Sequence, residues 1–151
     1  MTNQLAKAAT TVQLTAVSGR AVVSMRTHHM VVDSPLPLGG PNEEVNPLEL
    51  LLASLATCAT FVCETAARES SIPLTAITAH VEGEFDVRGV CGEPVDPHIQ
   101  AFYVTLTLHG PDDVQAETLV NAFQARCPIY TTLSRAAPID IQVRLPETAK
   151  T

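Results

Sequence analysis

The chain has 151 residues, 46% of them hydrophobic and 17% charged, with a formal net charge of −7. That length predicts one domain over 1–151 with a core of its own, and the composition is that of a folded protein, not a disordered one. The negative balance opposes phosphate backbones, and 4% aromatics without Trp give no platform for stacking bases, so nucleic acid is excluded as a partner.

From Met1 to Thr11 there is no apolar leader core and no small-residue cleavage pattern. Short strands are expected over 11–17, 20–25 and 29–32, with a turn at Ser18-Gly19 and a bend at Thr27-His28. A loop over 33–41 holds three prolines and two glycines, too many for regular structure. A helix then starts on strong signals: Asn46 as N-cap, Pro47 in the first helical position and Glu49 in the third, a capping box. From Leu48 to about Arg68 no Gly or Pro interrupts it, and nearly every face is apolar until Glu64. The apolar run 50–63, broken by Ser54, Thr57 and Thr60, is about 14 residues, short of the roughly 20 that span a bilayer. No membrane partner is therefore expected, and the chain is taken as soluble and cytoplasmic, with reduced thiols.

Further on, 74–87 is a strand with Ile77, Ala79, Val81, Gly83 and Phe85 on one face, 88–98 a Gly/Pro-rich loop, and 99–109 a return strand with Phe102, Val104, Leu106 and Leu108 aligned. Asp112 or Asp113 caps a helix from Val114 to about Arg126, with Ala116, Leu119, Val120 and Phe123 at helical spacing. A short helix over 128–136 and a strand over 139–145 complete the order β-β-β-α-β-β-α-α-β. This is an α+β protein with mostly antiparallel sheet. Its apolar helix is hard to hide in one subunit, so an intertwined homodimer is expected, with sheets wrapped around long central helices.

Cysteines at 58, 63, 91 and 127 show neither CxxC nor paired spacing, which argues against a zinc site and a disulfide scaffold alike. Cys63 is rotated about 140° from Cys58 along the helix and belongs to the core; Cys91 falls in the exposed loop. His28-His29 has no partner at ligand spacing and is taken as a strand-turn pair. No metal or cofactor is implied.

The run Asp33-Ser34-Pro35, Gly39-Gly40, Asn46-Pro47-Leu48-Glu49-Leu50-Leu51-Leu52, Cys58, followed downstream by Cys127-Pro128, resembles the OsmC/Ohr superfamily of hydroperoxide-reducing thiol proteins, from about residue 10 to residue 145. The resemblance implies an OsmC-like fold, a two-fold homodimer with swapped sheets, and two active sites at the subunit interface. It also implies that Cys58 attacks a hydroperoxide, that Cys127 closes a disulfide with it, and that a dithiol or a lipoyl protein reduces that disulfide. The organic-hydroperoxide branch has a Glu ten residues before its nucleophile, where this chain has Leu48. It also has an Arg that pairs with the thiolate, for which Arg20 and Arg26 are the candidates. Glu49, nine residues before Cys58, matches the general OsmC-like branch.

Each candidate has a plain alternative. Cys58 is either the reactive thiol or a small buried side chain. With Pro128 in the first helical position, Cys127 is an N-cap, where unpaired backbone N–H groups and the helix dipole favour a thiolate; otherwise it fills a helix junction. Glu49 lies about 13 Å along the axis from Cys58 and on the opposite side of the helix. It either caps that helix or serves a partner subunit or an Arg. Arg20 or Arg26 beside the thiol would stabilise its anion and the departing oxygen, or is a solvated strand residue. Leu51, Leu55, Phe61 and Val62 form the expected apolar substrate walls. Two functions are open: a thiol peroxidase acting on organic hydroperoxides in oxidative-stress defence, or a non-catalytic relative binding an apolar small molecule at the dimer interface.

Overall fold

The computed structural model describes residues 4–145, so the first residues of the N-terminal stretch considered above lie outside the described residues. The chain divides into two compact units, one running to Leu50 and the other starting at Leu51.

In the first unit, strands β1 (Thr11–Leu14), β2 (Arg20–Met25) and β3 (His28–Asp33) form an antiparallel sheet in that order. β1 ends three residues earlier than expected. The Thr15 N–H bonds to the Arg20 carbonyl at 2.9 Å, and the Thr15 hydroxyl accepts the Val17 N–H at 3.1 Å, which curls the chain into the turn. The bend between β2 and β3 is also displaced. It falls on Arg26-Thr27, with Met25 opposite His28, and Arg26 adopts a left-handed φ of 56°. That one-residue shift puts Arg20 directly opposite Asp33.

After β3 a single 3-10 turn, Leu36–Leu38, interrupts the expected loop and ends on Gly39 at φ 78°. At Gly40 a Cβ would collide with the Ser34 backbone, so only glycine fits there. Helix α1 (Pro47–Glu69) opens on the predicted capping box: Glu49 N–H donates to Asn46 Oδ1 at 3.0 Å, and Asn46 N–H to Glu49 Oε2 at 2.8 Å.

In the second unit, β4 (Ala76–Glu84), β5 (Ala101–His109) and β6 (Ile139–Arg144) form a sheet in that order. Every second residue of β5 is buried, and these are Phe102, Val104, Leu106 and Leu108. Their burial follows from strand alternation, because successive side chains point to opposite faces. The stretch expected as loop carries one turn of helix, α2 (Val87–Val90), capped by Asp86, which accepts the Arg88 N–H at 3.0 Å.

Helices α3 (Asp113–Arg126) and α4 (Pro128–Leu133) join β5 to β6, and α3 begins with an Asp112–Gln115 capping box. This crossover carries the chain back so that β6 runs parallel to β5. The expectation of antiparallel sheets thus holds for three pairings and is corrected at this one. The core packs Leu55, Ala59 and Cys63 of α1 with the buried face of β5 and with Leu119 and Phe123 of α3. The architecture is α+β, two small sheets with long helices.

Candidate active site

Cys58 sits in mid-α1, half-buried, and Cys127 occupies the residue between α3 and α4, with no exposure at all. The Cys127 N–H closes α3 on the Phe123 carbonyl at 3.0 Å. Its side chain opens α4, the sulfur accepting the Tyr130 N–H at 3.3 Å. Pro128 makes that geometry natural, since it lacks an N–H and its fixed φ starts a helix. Tyr130 is braced in turn: its ring lies 5.1 Å from that of Phe123, and its hydroxyl accepts from Gln124 Nε2 at 3.3 Å.

Both thiols are free, and Cys58 packs against the core cluster that holds Cys127. Burial first, then the hydrogen bond and charge of Cys127, push the Cys58 thiol up to about 11, with the Ile129 backbone N–H pulling the other way. Within this unit, no cation contributes to that balance. Cys63 is a separate case. It is buried, donates to the Leu119 carbonyl at 3.6 Å, and is pushed up to about 11 by burial alone.

Of the expected apolar walls, Leu55 is fully buried, and Leu51 and Val62 pack with Cys58 against the same core. These three lie within about 60° of Cys58 around the helix, and so does Phe61. Phe61 differs from the others in its exposure. It is 63% exposed and lines, with Thr60, Glu64 and Leu74, an open groove of about 340 Å³.

Of the other candidates, Glu49 and Arg20 are engaged locally. The Glu49 carboxylate is used in the α1 cap. Arg20 grips buried Asp33 through Nε and Nη2, both at 2.8 Å, and reaches Glu43 at 2.7 Å. Arg26 is exposed at the hairpin tip. Asp33 also accepts the N–H groups of Glu43 and Glu44, and these bonds hold its carboxyl well below the usual carboxylate range.

The sequence assigned no role to Asp33, Ile129 or Tyr130. Asp33 needed a correct hairpin register to be seen beside Arg20. The other two act through backbone N–H groups; that of Tyr130 is the donor expected at the Cys127 N-cap, and that of Ile129 toward Cys58 was not foreseen. Among the described residues, no three His, Cys, Asp or Glu side chains converge on a metal-sized site.

The family model for OsmC-like protein matches residues 40–142, from the loop before α1 into β6, and includes Cys58 and Cys127. The chain belongs to the OsmC-like family. Structural likeness extends over nearly the full length. An OsmC-like protein from Mycoplasma pneumoniae superposes with a TM-score of 0.78 at 19% identity, covering 93% of this chain and 97% of that one. An organic hydroperoxide resistance protein OsmC from Legionella pneumophila gives 0.70 at 18%, covering 95% and 98%. Another organic hydroperoxide resistance protein, from Elizabethkingia anophelis, gives 0.67 at 18%, covering 96% and 99%. These neighbours establish the OsmC-like fold for the β1–β3 unit as well, most of which precedes the family match. No curated protein sequence matches the chain.

Proposed function

We propose that this OsmC-like protein is a thiol peroxidase that reduces organic hydroperoxides, and hydrogen peroxide less readily, in oxidative-stress defence. The Cys58 thiolate attacks the terminal peroxide oxygen and the O–O bond breaks. The alkoxide leaves and takes a proton as the alcohol, and Cys58 becomes a sulfenic acid. The Cys127 thiolate then attacks the Cys58 sulfur, the S–O bond breaks, hydroxide leaves and takes a proton as water, and a disulfide forms. An external dithiol, free or as a lipoyl group on a partner protein, returns two electrons.

The observation that carries this reading is that two free thiols from distant parts of the chain belong to one core, Cys127 buried in it and Cys58 packed against it. The apolar packing of Leu51, Leu55 and Val62 around them suits an organic substrate, and relatives named for organic hydroperoxide resistance support the redox class. Steady-state reduction of cumene hydroperoxide by dihydrolipoamide tests it. Cys58→Ser should abolish turnover, and Cys127→Ser should stall as a Cys58 sulfenic acid. The parent should yield a Cys58–Cys127 disulfide by mass spectrometry. Undiminished turnover in Cys58→Ser would dispose of the mechanism.

A specific observation favours the second reading, a non-catalytic binder of an apolar small molecule: the Cys58 thiol is pushed up, not down. Alkylation at about pH 6, well below an ordinary thiol pKa, separates the two. Fast loss of one thiol per subunit supports the enzyme, and slow uniform labelling supports the binder.

The functional form is a soluble, cytoplasmic homodimer. α1 is long and apolar enough to cross a membrane by length and composition, and most of it is left unburied within the chain. A second copy of the chain covers the remainder.

A further inference from the structure

We propose that the β2–β3 hairpin holds a binding site for a soft monovalent metal ion of the Cu(I)/Ag(I) class, with Met25, His28 and Met30 as ligands. The site belongs to the first unit and is independent of the thiol chemistry above.

The register places the ligands. Met25 lies directly opposite His28, and Met30 opposite Val23. Residues facing each other across an antiparallel pair share a face, as do residues two apart on one strand. Met25, His28 and Met30 therefore project from the same side of the sheet. Directly opposed Cβ atoms are about 5 Å apart and diagonal ones about 7–8 Å. Two long thioether arms and an imidazole can close that span around one ion.

The neighbouring histidine shows the contrast. His29 points to the other face, where its Nδ1 pairs with the Ser24 hydroxyl at 2.9 Å. His28 is exposed on the methionine side, Met25 is 39% exposed and Met30 half-buried.

The ligand chemistry selects the ion. Thioethers bind soft ions such as Cu(I), while Mg(II) and Ca(II) want oxygen ligands. The one carboxylate in these strands, Asp33, lies on the opposite face and is committed to Arg20. Arg26, in the turn between Met25 and His28, repels a dication more than a monovalent ion. The chain has only three methionines, and the two beyond Met1 both fall in this cluster. An exposed methionine beside a tight turn is otherwise an odd choice, because turn flanks are ordinarily polar.

The test is a titration of the whole protein, ¹³C-labelled at the methionine methyls, with silver nitrate in chloride-free buffer. Free N-acetylmethionine in the same tube is the reference. The cysteines take the first equivalents of silver. Beyond them, the Met25 and Met30 methyls should shift together, at silver concentrations at least about 10-fold below those that move the reference, the margin a second good ligand confers. His28→Ala should erase that margin, and Met30→Leu should erase it for Met25 as an independent check. Met25 and Met30 shifting only in step with the reference would overturn the proposal. So would a folded His28→Ala variant that titrates like the parent.

Discussion

A thiol pushed up to about 11 is a poor nucleophile at neutral pH, where its neutral form dominates. The Ile129 N–H does not offset burial and the second sulfur, so peroxidase chemistry requires a positive charge brought to Cys58. Arg20 is an expensive source, because releasing it strips buried Asp33 of its main partner. That pair sets a pH dependence of its own. The Asp33 carboxyl is held below its ordinary range by the Arg20 hydrogen bonds, then by the Glu43 and Glu44 N–H groups. A depressed carboxyl stabilises the fold above its unfolded pKa, and that stabilisation fades as the pH falls through about 4 toward the lower folded value. Urea midpoints should therefore drop steeply below about pH 4 in the parent. Asp33→Asn should be less stable at pH 7 and show a shallower acid limb; parallel acid limbs would mean that other carboxyls govern the loss. At the alkaline end the sign reverses. Cys58 and Cys63 are both raised, so stability should hold to about pH 9 and decline toward 11 as their thiolates become cheaper in the unfolded chain.

Among the elements, those with strong local signals were legible in the sequence and those that depend on register were not. The Asn46–Glu49 box and the alternation of Phe102, Val104, Leu106 and Leu108 are written in adjacent residues, and the structure matches both. The β2–β3 bend was misplaced because its first residue is Arg26, not the Gly, Asn or Asp that a positive φ favours. A bend at Thr27-His28 would have set Arg20 opposite Pro35. The true turn sets it opposite Asp33, so a one-residue error concealed an ion pair. The parallel β5–β6 pairing was hidden for a related reason, since a long crossover does not announce which strand it returns to. Of the candidate site, the two cysteines and the N-cap donors at Cys127 were legible, and the Ile129 N–H acting on Cys58 was not. The strained tip gives a prediction at this scale. Arg26→Gly relieves a left-handed non-glycine residue and should raise unfolding stability by about 0.5–1 kcal/mol. Urea denaturation measures it, and a loss of stability would show that the Arg26 side chain supports the hairpin. If the same variant also lost peroxidase turnover, Arg26 would become the better candidate for the missing charge.

For the whole molecule, the open question is what covers α1. Glu49, Ala53, Thr57, Phe61, Glu64 and Arg68 form an exposed stripe at helical spacing, and Phe61 is its one large apolar residue. An aromatic side chain left this open is rarely idle, because burying it at an interface is worth on the order of 2 kcal/mol. The charged residues at the ends of the stripe, Glu49, Glu64 and Arg68, frame an apolar centre, the pattern of an interface core within a polar rim. A bilayer would instead have to solvate Glu64 and Glu69 near one end of the helix, with Thr57 and Thr60 facing lipid. The expectation is a particle of twice 16.1 kDa by light scattering on a sizing column. Phe61→Glu should weaken association by at least about 10-fold, shift the particle toward one copy on dilution, and increase binding of a hydrophobic dye. The proposed Cys58–Cys127 disulfide should still form in that variant, since Phe61 is exposed and Cys127 is buried in the core. A parent that runs at 16.1 kDa across the concentration range would remove the second copy from the account and leave the apolar helix without a cover.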